Sequence, residues 1–443
     1  LADEGKDDEA KQAYVAALRL DPTHLGALVE LGSLAYATGH LGAARTAYGQ
    51  AARHHPDNAV AQVNLARLLF EDGATLAAKS HYQAALAIDP DLVEAHQGLA
   101  RVLTELGDEA AAGHWQKGFA GHATTTIRHR GAGPGLPLLL LVSARGGNIP
   151  TASLMLDRHF SVTALYADFY DPAQPLPPHA LVLNAIADAD ACMAALNGAE
   201  ALLAQSTAPV INPPAIIKPT GRADIARRLA AIPGLTVPRI GLLPRDRLRE
   251  PGAAPEGLEF PLLLRSPGFH TGQHFVLAET ADMLPDAAAG LLGDEVLTIQ
   301  YLDARGPDGM ARKYRVMMIG GALYPVHLAI TADWKVHYYT TDMAHQPAHR
   351  DEEQRFLTDM AGVLGPVAMR ALAEIDQALG LDYGGVDFAL APDGTILLFE
   401  ANAAMVIAMP DADPVWDYRR PAITAALNAT TRLLLTRSGA TPG

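Results

Sequence analysis

The stretch YGGVDFALAPDGTILLFEAN (383–402) carries three hard oxygen donors at a spacing that chemistry can use. Asp387 lies in the first of two apolar, strand-like runs. The turn APDG (391–394) reverses the chain, and the second run delivers Glu400 and Asn402. Side chains two apart on a strand share a face, so Glu400 and Asn402 point the same way. Two carboxylates and an amide oxygen brought together by paired strands suit Mg²⁺, with Mn²⁺ as the alternative ion. A charge and an Asn directly after the apolar run ILLF mark a strand end that faces a cleft. Upstream, Lys313 and Arg315 alternate on one face of another strand-like run, ARKYRVMMI. Arg222, in a helical stretch, and Arg265, closing the run PLLLR, add two more cations. A local cluster of cations is what a nucleotide pocket needs, whatever the charge of the whole chain.

The first third of the chain repeats. Pro22, Pro56 and Pro90 are spaced by 34 residues, and the same step links Gly5, Gly39, Gly73 and Gly107, and Tyr14, Tyr48 and Tyr82. It also links Ala10, Ala44, Ala78 and Ala112, and Ala17, Ala51 and Ala85. Alanines let antiparallel helices approach closely, Gly turns the chain and Pro ends the second helix. This pattern resembles the tetratricopeptide repeat, with three full units over about 26–120. The resemblance implies a concave groove for a peptide or protein partner, with Asn64, Arg67 and Arg101 as candidate groove residues or ordinary solvated positions. A packing platform, and so a homodimer, is the alternative use. HATTTIRHRGAGPG (122–135) has no apolar stripe and reads as a linker. Then LPLLLLVSA, FSVTALYAD, ALVLNAIAD and PVIN read as strands. IPTASLMLDRH and ACMAALNGAEALLAQ read as helices between them, implying a small doubly wound parallel sheet. Gly146 and Gly147 after its first strand form either a phosphate cradle or a plain tight turn.

Composition excludes several function classes. With 34 basic and 49 acidic side chains the net charge is -15, so no global basic field attracts nucleic acid. The single Cys192 rules out a disulfide framework and a multi-cysteine metal site, and a reducing cytoplasm is the simplest reading. The longest apolar run, Leu136 to Ala144, falls far short of the ~20 residues that span a bilayer. The acidic start LADEGKDDEA has no apolar h-region and is not expected to be a signal peptide.

From about 180 to 432, ordered features resemble the ATP-grasp superfamily. INPPAIIKPTGRADIARRLAAIPGLTVPRI (211–240) resembles its entry, with Arg222 where relatives usually carry Lys. EFPLLLRSPGFHTGQHF resembles the strand, cation and glycine flap over the triphosphate, again with Arg265 in place of Lys and with Gly268 and Gly272 in the flap. Ile299, Gln300, Tyr301, Leu302 and Asp303 resemble the adenine hinge, Asp303 reaching the ribose. YRVMMIGGALYPVH resembles a hairpin of glutathione-synthetase-like enzymes and ribosomal-protein glutamate ligases. Asp387, Glu400 and Asn402 match the D…E-x-N metal signature. Asn184 would face the cleft from the preceding strand. Many relatives carry an Arg where this chain has Gly385.

The resemblance implies a multidomain chain: an all-α tetratricopeptide solenoid (1–121), a linker (122–135), an α/β Rossmann-like pre-ATP-grasp domain (136–212) and an α+β ATP-grasp fold (213–436). It further implies a cytoplasmic, ADP-forming ligase. Mg-ATP would activate an unnamed carboxylate, and an unnamed amine would displace phosphate. Arg222, Arg265, Gly268, Gly272, Lys313 and the hinge would bind ATP, and Lys313 and Arg315 would act in catalysis. Gly385 and the two Lys-to-Arg changes leave room for a non-catalytic nucleotide-binding adaptor, and a phosphotransferase is a third reading. The histidines 327, 337, 345 and 349 match no zinc spacing. Trp334, Lys335, Tyr338 and Tyr339 line an acceptor pocket or cover the sheet.

Overall fold

The 34-residue spacing becomes pairs of helices in the computed structural model, which describes residues 7–38, 40–127, 129–250, 255, 257–267, 274–336, 338 and 341–440. The chain divides into two compact units, Leu1–Thr125 and Thr126–Gly443. The first holds helices α1 (Asp7–Leu20), α2 (Leu25–Ala37), α3 (Leu41–His54), α4 (Ala59–Glu71), α5 (Thr75–Ile88), α6 (Val93–Glu105) and α7 (Ala111–Phe119). The repeated alanines 44, 51, 78 and 85 are fully buried. Tyr48 and Tyr82, also buried, sit in slots left by glycine. A Cβ on Gly32 would lie 2.5 Å from the Tyr48 ring, and one on Gly98 would lie 2.1 Å from that of Tyr82. His24 and Asn58 cap α2 and α4 by accepting from Ala27 and Ala61 N–H, relieving orphan donors at the helix start. Arg67 lies 4.2 Å above the Tyr36 ring, whose hydroxyl donates to Glu71 at 2.7 Å.

The strand β1 (Thr124–Ile127) spans the boundary, and the second unit goes on with β2 (Leu136–Val142), β3 (Phe160–Tyr166), β4 (Leu181–Asn184), α8 (Met193–Leu203), β5 (Val210–Ile211), α9 (Pro214–Ile217) and α10 (Arg222–Leu229). Then come β6 (Leu235–Thr236), β7 (Ile240–Pro244), α11 (Arg245–Leu248), β8 (Leu262–Arg265), β9 (Phe275–Ala278), α12 (Leu284–Ala289) and β10 (Glu295–Gln300). The rest is β11 (Ala311–Ile319), β12 (Ala322–Thr331), α13 (Pro347–Thr358), α14 (Met360–Leu379), β13 (Tyr383–Leu390), β14 (Ile396–Asn402) and α15 (Arg420–Arg437). Three sheets result. One runs β1-β3-β2-β4-β5, one β7-β10-β8-β9 and one β12-β11-β13-β14-β6. In the first, β2 pairs in parallel with β3 and β4, and β4 with β5. The β1 strand lies inside the stretch read as a linker. The helix expected over 149–159 is instead two 3₁₀ turns, Thr151–Leu154 and Leu156–Arg158, separated by Met155 at φ 45°, a backbone state no helix continues through.

One hydrophobic core joins the first and third sheets. It runs from Leu138–Leu141 and Leu181 through Val316 and Phe356 to Leu372 and Phe388. The second sheet has its own core of Leu248, Leu264, Leu284, Leu291 and Val296. No single helix among the described residues is long and apolar enough to cross a membrane. The helices α13 and α14 have that composition only together, and they bend by 63° at their junction.

A buried amide fastens the first sheet to the third. Asn212, just beyond β5, has no exposure and a φ of 52°, which Asn tolerates better than most residues. Its side chain accepts from Asp382 and Tyr383 N–H at 2.9 and 3.1 Å and donates to Tyr383 O at 2.7 Å. Its own N–H donates to the Asp382 carboxylate at 3.1 Å. Asn184, expected to face the cleft, is instead fully buried and donates to Asn212 O at 2.9 Å. An amide at a strand end beside a second buried amide gains more from that bond than from solvent. Replacing Asn212 by Ala should strand these backbone groups and lower stability by about 2–4 kcal/mol. The check is the urea midpoint followed by fluorescence of Trp334 and Trp416. A loss under half a kcal/mol would mean that the staple is dispensable.

Candidate functional site

Antiparallel pairing sets opposed residues side by side on one face. In the third sheet His327 pairs with Arg315 across β12 and β11, Arg315 with Asp387 across β11 and β13, and Asp387 with Glu400 across β13 and β14. Four polar side chains thus form one row across four strands, about 14 Å from end to end. Asn402 follows Glu400 by two, opposite Gly385, and Lys313 precedes Arg315 by two. Each hairpin in the row carries a one-residue register shift, between Arg315 and Val316 and between Asp387 and Phe388.

Charge pairing within the row is tight. Arg315 donates from Nε and Nη2 to the two Asp387 oxygens at 2.7 and 2.8 Å, and Lys313 Nζ lies 3.2 Å from Oδ2. Asp387 is only 3% exposed. Burial alone would raise its carboxyl. The charges of Arg315 and Lys313 and the Arg315 hydrogen bonds outweigh burial and hold it well below the usual carboxylate range. Arg222 Nη2 reaches Glu400 Oε1 at 2.7 Å. Arg265, at the end of β8, is buried, and burial with the nearby Arg222 pulls it down to about 10, while Glu400, Asp188 and Asp190 oppose the fall. It therefore remains charged at neutral pH. Its guanidinium lies 5.5 Å from the Phe275 ring, and Phe275 meets the Trp334 ring at 5.4 Å.

An open cleft adjoins the Glu400 end of the row. Ile225, Ala226, Pro238, Ile240, Ile299, Leu398 and Phe399 give it apolar walls, and Thr220, Arg222, Glu400 and Asn402 give it a polar end. A second, shallow hollow lies beside it, between Asp188, Asp190, Arg222 and Asn402. Asp190 accepts from Arg222 N–H at 3.1 Å and so caps α10, which has no cap of its own. Sequence reading missed Asp188 and Asp190, which follow an apolar strand as ordinary turn residues would.

Arg222, Arg265, Lys313, Arg315, Asp387, Glu400 and Asn402 therefore come together. Of the hinge candidates Ile299 lines the cleft, whereas Gln300, Tyr301, Leu302 and Asp303 are not part of its lining. The Gln300 side chain accepts from Arg239 N–H at 3.2 Å, and the exposed Asp303 is held by Arg305 at 2.7 Å. Gly268, Gly272, His337 and Tyr339 lie outside the described residues. The N–H groups just before the Gly146–Gly147 turn are already used. Asn148 takes the Ser143 N–H, buried Asp168 takes that of Ala144, and Ser143 Oγ takes that of Arg145. Gly385 has no room for a side chain, since a Cβ would lie 2.8 Å from Met317 Sδ and 3.0 Å from Met405 Cγ.

The donor set fits a hard divalent cation in kind, with two opposed carboxylates and an amide oxygen. Among the described residues no group of three His, Cys, Asp or Glu side chains is placed to hold a metal. Asp387 and Glu400 are neutralised by cations of the chain itself, and Asn402 Oδ1 accepts from Ala404 N–H at 2.9 Å.

No family model matches the chain, and no curated protein matches it. Among solved structures, one described as "Crystal structure of MamA" is 24% identical, covers 26% of this chain and 68% of its own, and has a TM-score of 0.25. A "MamA RS-1 ArsTM double mutant" is 23% identical over 27% of this chain and 68% of its own, also at 0.25.

Exchanging Asp387 for Asn should leave Arg315 and Lys313 buried without a counter-charge and cost about 3–5 kcal/mol at pH 7. A carboxyl depressed in the folded state stabilises fully above its unfolded value near 4 and loses that contribution as pH falls below it. The gap between wild type and Asp387→Asn should therefore narrow from pH 5 to pH 3 in guanidinium unfolding. A gap independent of pH would show that the ion pairs do not set it.

Proposed function

We propose that the second unit is an ATP-dependent carboxylate–amine ligase of the ATP-grasp type. The supporting observation is the polar row that begins at an apolar-walled cleft and continues through Arg315 and Asp387. In this reading the base lies among Ile225, Ile240, Ile299 and Phe399, and Arg222 and Arg265 neutralise the phosphates. Asp387, Glu400 and Asn402 would hold Mg²⁺, which when bound would draw charge from the phosphate oxygens.

Lys313 and Arg315 are fixed cations where negative charge grows as a carboxylate oxygen attacks the γ-phosphorus and the bond to ADP breaks. The amine then adds to the acyl carbon, loses a proton and expels phosphate, leaving an amide. The helical repeats supply a protein-interaction surface that brings a peptide or protein partner.

A second reading has one observation in its favour. Both carboxylates are already neutralised by the chain's own guanidinium and ammonium groups, as suits an adaptor that binds nucleotide without turnover. Calorimetry separates the two. Wild type should bind Mg-ATP, and Glu400→Ala with Asn402→Ala should weaken binding at least about tenfold by removing two ligands. ADP release should then require both an acid and an amine. Release with the acid alone would indicate a phosphotransferase, binding without release an adaptor, and no nucleotide binding by wild type would end the ligase reading.

A further inference from the structure

Two successive helical repeats make the same polar contact with different residues. In one, Gln62 of α4 donates from Nε2 to Pro56 O at 3.1 Å, and its Oε1 meets His81 Nδ1 of α5 at 2.7 Å. One period later, His96 of α6 is bonded through Nε2 to Pro90 O at 2.9 Å and through Nδ1 to His114 Nδ1 of α7 at 2.7 Å. The gripping residue and its proline have each moved on by 34 positions. An amide offers one fixed donor end and one fixed acceptor end. An imidazole in the same place can take up a proton.

The hydrogen bonds fix the tautomers. A carbonyl oxygen only accepts, so His96 Nε2 holds a proton and Nδ1 of the neutral ring is an acceptor. His114 must then donate from its own Nδ1. One added proton fits, on His114 Nε2. A second does not, because it would put a hydrogen on both Nδ1 atoms across 2.7 Å. It would also set two charged rings with centroids 4.9 Å apart, one of them His96 at only 4% exposed. Burial, His96 and Lys117 of α7 hold His114 below its ordinary value, with Asp108 of the α6–α7 turn opposing them. Asp108 is itself shared with Lys79 of α5 at 3.2 Å. Tyr82 of α5, packed on Gly98 of α6, is pushed up to about 12 by burial, against Arg101 of α6 and Arg67 of α4, and stays neutral.

We propose that the His96–His114 pair is a proton-sensitive latch that docks α7 on α6 near neutral pH and releases it in acid. Two other contacts go with the ring pair. Gln97 donates from Nε2 to Gly118 O at 2.8 Å, and Trp115 from Nε1 to Thr104 Oγ1 at 3.0 Å. Once α7 is undocked, each histidine can hold its own proton. Above the ordinary histidine value of about 6.5 the docked and undocked states carry the same number of protons, and the latch is fully closed. Below it the undocked state binds one more, so docking weakens as pH falls. The preceding repeat has no such limit, since His81 can charge at Nε2 while still donating from Nδ1 to Gln62. The latch belongs to the helical repeats and does not depend on the nucleotide reading.

The test is amide hydrogen exchange read by mass spectrometry on the full chain, between about pH 7.5 and pH 5, with intrinsic exchange rates divided out. The α7 segment is compared with α5, whose contact to Gln62 serves as the internal control. Protection of α7 should fall by about tenfold for each pH unit below about 6, the effect of one proton, while protection of α5 changes by less than about threefold. His96→Gln installs the residue that the preceding repeat uses. It should keep α7 protected at pH 7.5 and leave at most about a threefold fall at pH 5. An equal fall in α7 and α5, or the same fall in His96→Gln as in wild type, would overturn the proposal. If His96→Gln fails to fold, nitrogen NMR of the histidine rings in the wild type decides. Uptake of no more than one proton by the pair while α7 stays protected supports the latch, and uptake of two with α7 still protected sinks it.

Discussion

The geometry of the site depends on two register shifts of one residue. In the β13–β14 hairpin, Leu390 faces Ile396 and Phe388 faces Leu398, but the next step pairs Asp387 with Glu400. Phe399 is the extra residue. Without the shift Asp387 would face Phe399, and Glu400 would lie on the opposite face of the sheet. The β11–β12 hairpin does the same. Val316 faces Pro325, yet Arg315 faces His327, with Val326 as the extra residue. A one-residue slip flips every side chain beyond it, and bulges are a common way to re-aim side chains beside functional sites. Pro325, which has no N–H to lose from the ladder, sits beside one of them.

Once the row is aligned, electrostatics and packing hold it. Asp387 would be costly to bury alone, and so would Arg315 and Lys313. Together they satisfy one another, and the bidentate guanidinium fixes orientation as well as charge. Asn212 fastens the start of β13 to the end of β5, so the strand that carries Asp387 cannot move independently of the parallel sheet. Glu353 does similar work on the far side, tying β12 through Leu328 N–H to the segment that holds Tyr418 and Arg419. The row is thus braced at both ends by buried polar groups with several partners each.

Some of this was legible in the chain and some was not. The repeats were, because close helix packing restricts residue size at fixed offsets, and the glycine and tyrosine positions answer each other directly, as Gly98 and Tyr82 do. Arg265 was legible as a charge that ends an apolar strand, and Lys313 and Arg315 as a pair two apart on one strand face. Asn184 was misread because a strand-end amide looks the same whether it meets solvent or a second buried amide. The place of His327 in the row was not legible, because hairpin parity alone puts Val326 opposite Arg315 and only the register shift brings His327 there.

The sequence by itself determined the local order: a helical repeat region, then mixed α/β sheets, with oxygen donors and cations at strand ends. These follow from period, propensity and turn chemistry, which act over a few residues. Tertiary structure alone decided which of those side chains share a face and which amides and carboxylates are buried against each other. Bulges leave no fixed mark in the residues that form them, and the partners of Asn212 lie about 170 positions away. Only packing of the whole unit brings such groups within hydrogen-bond distance.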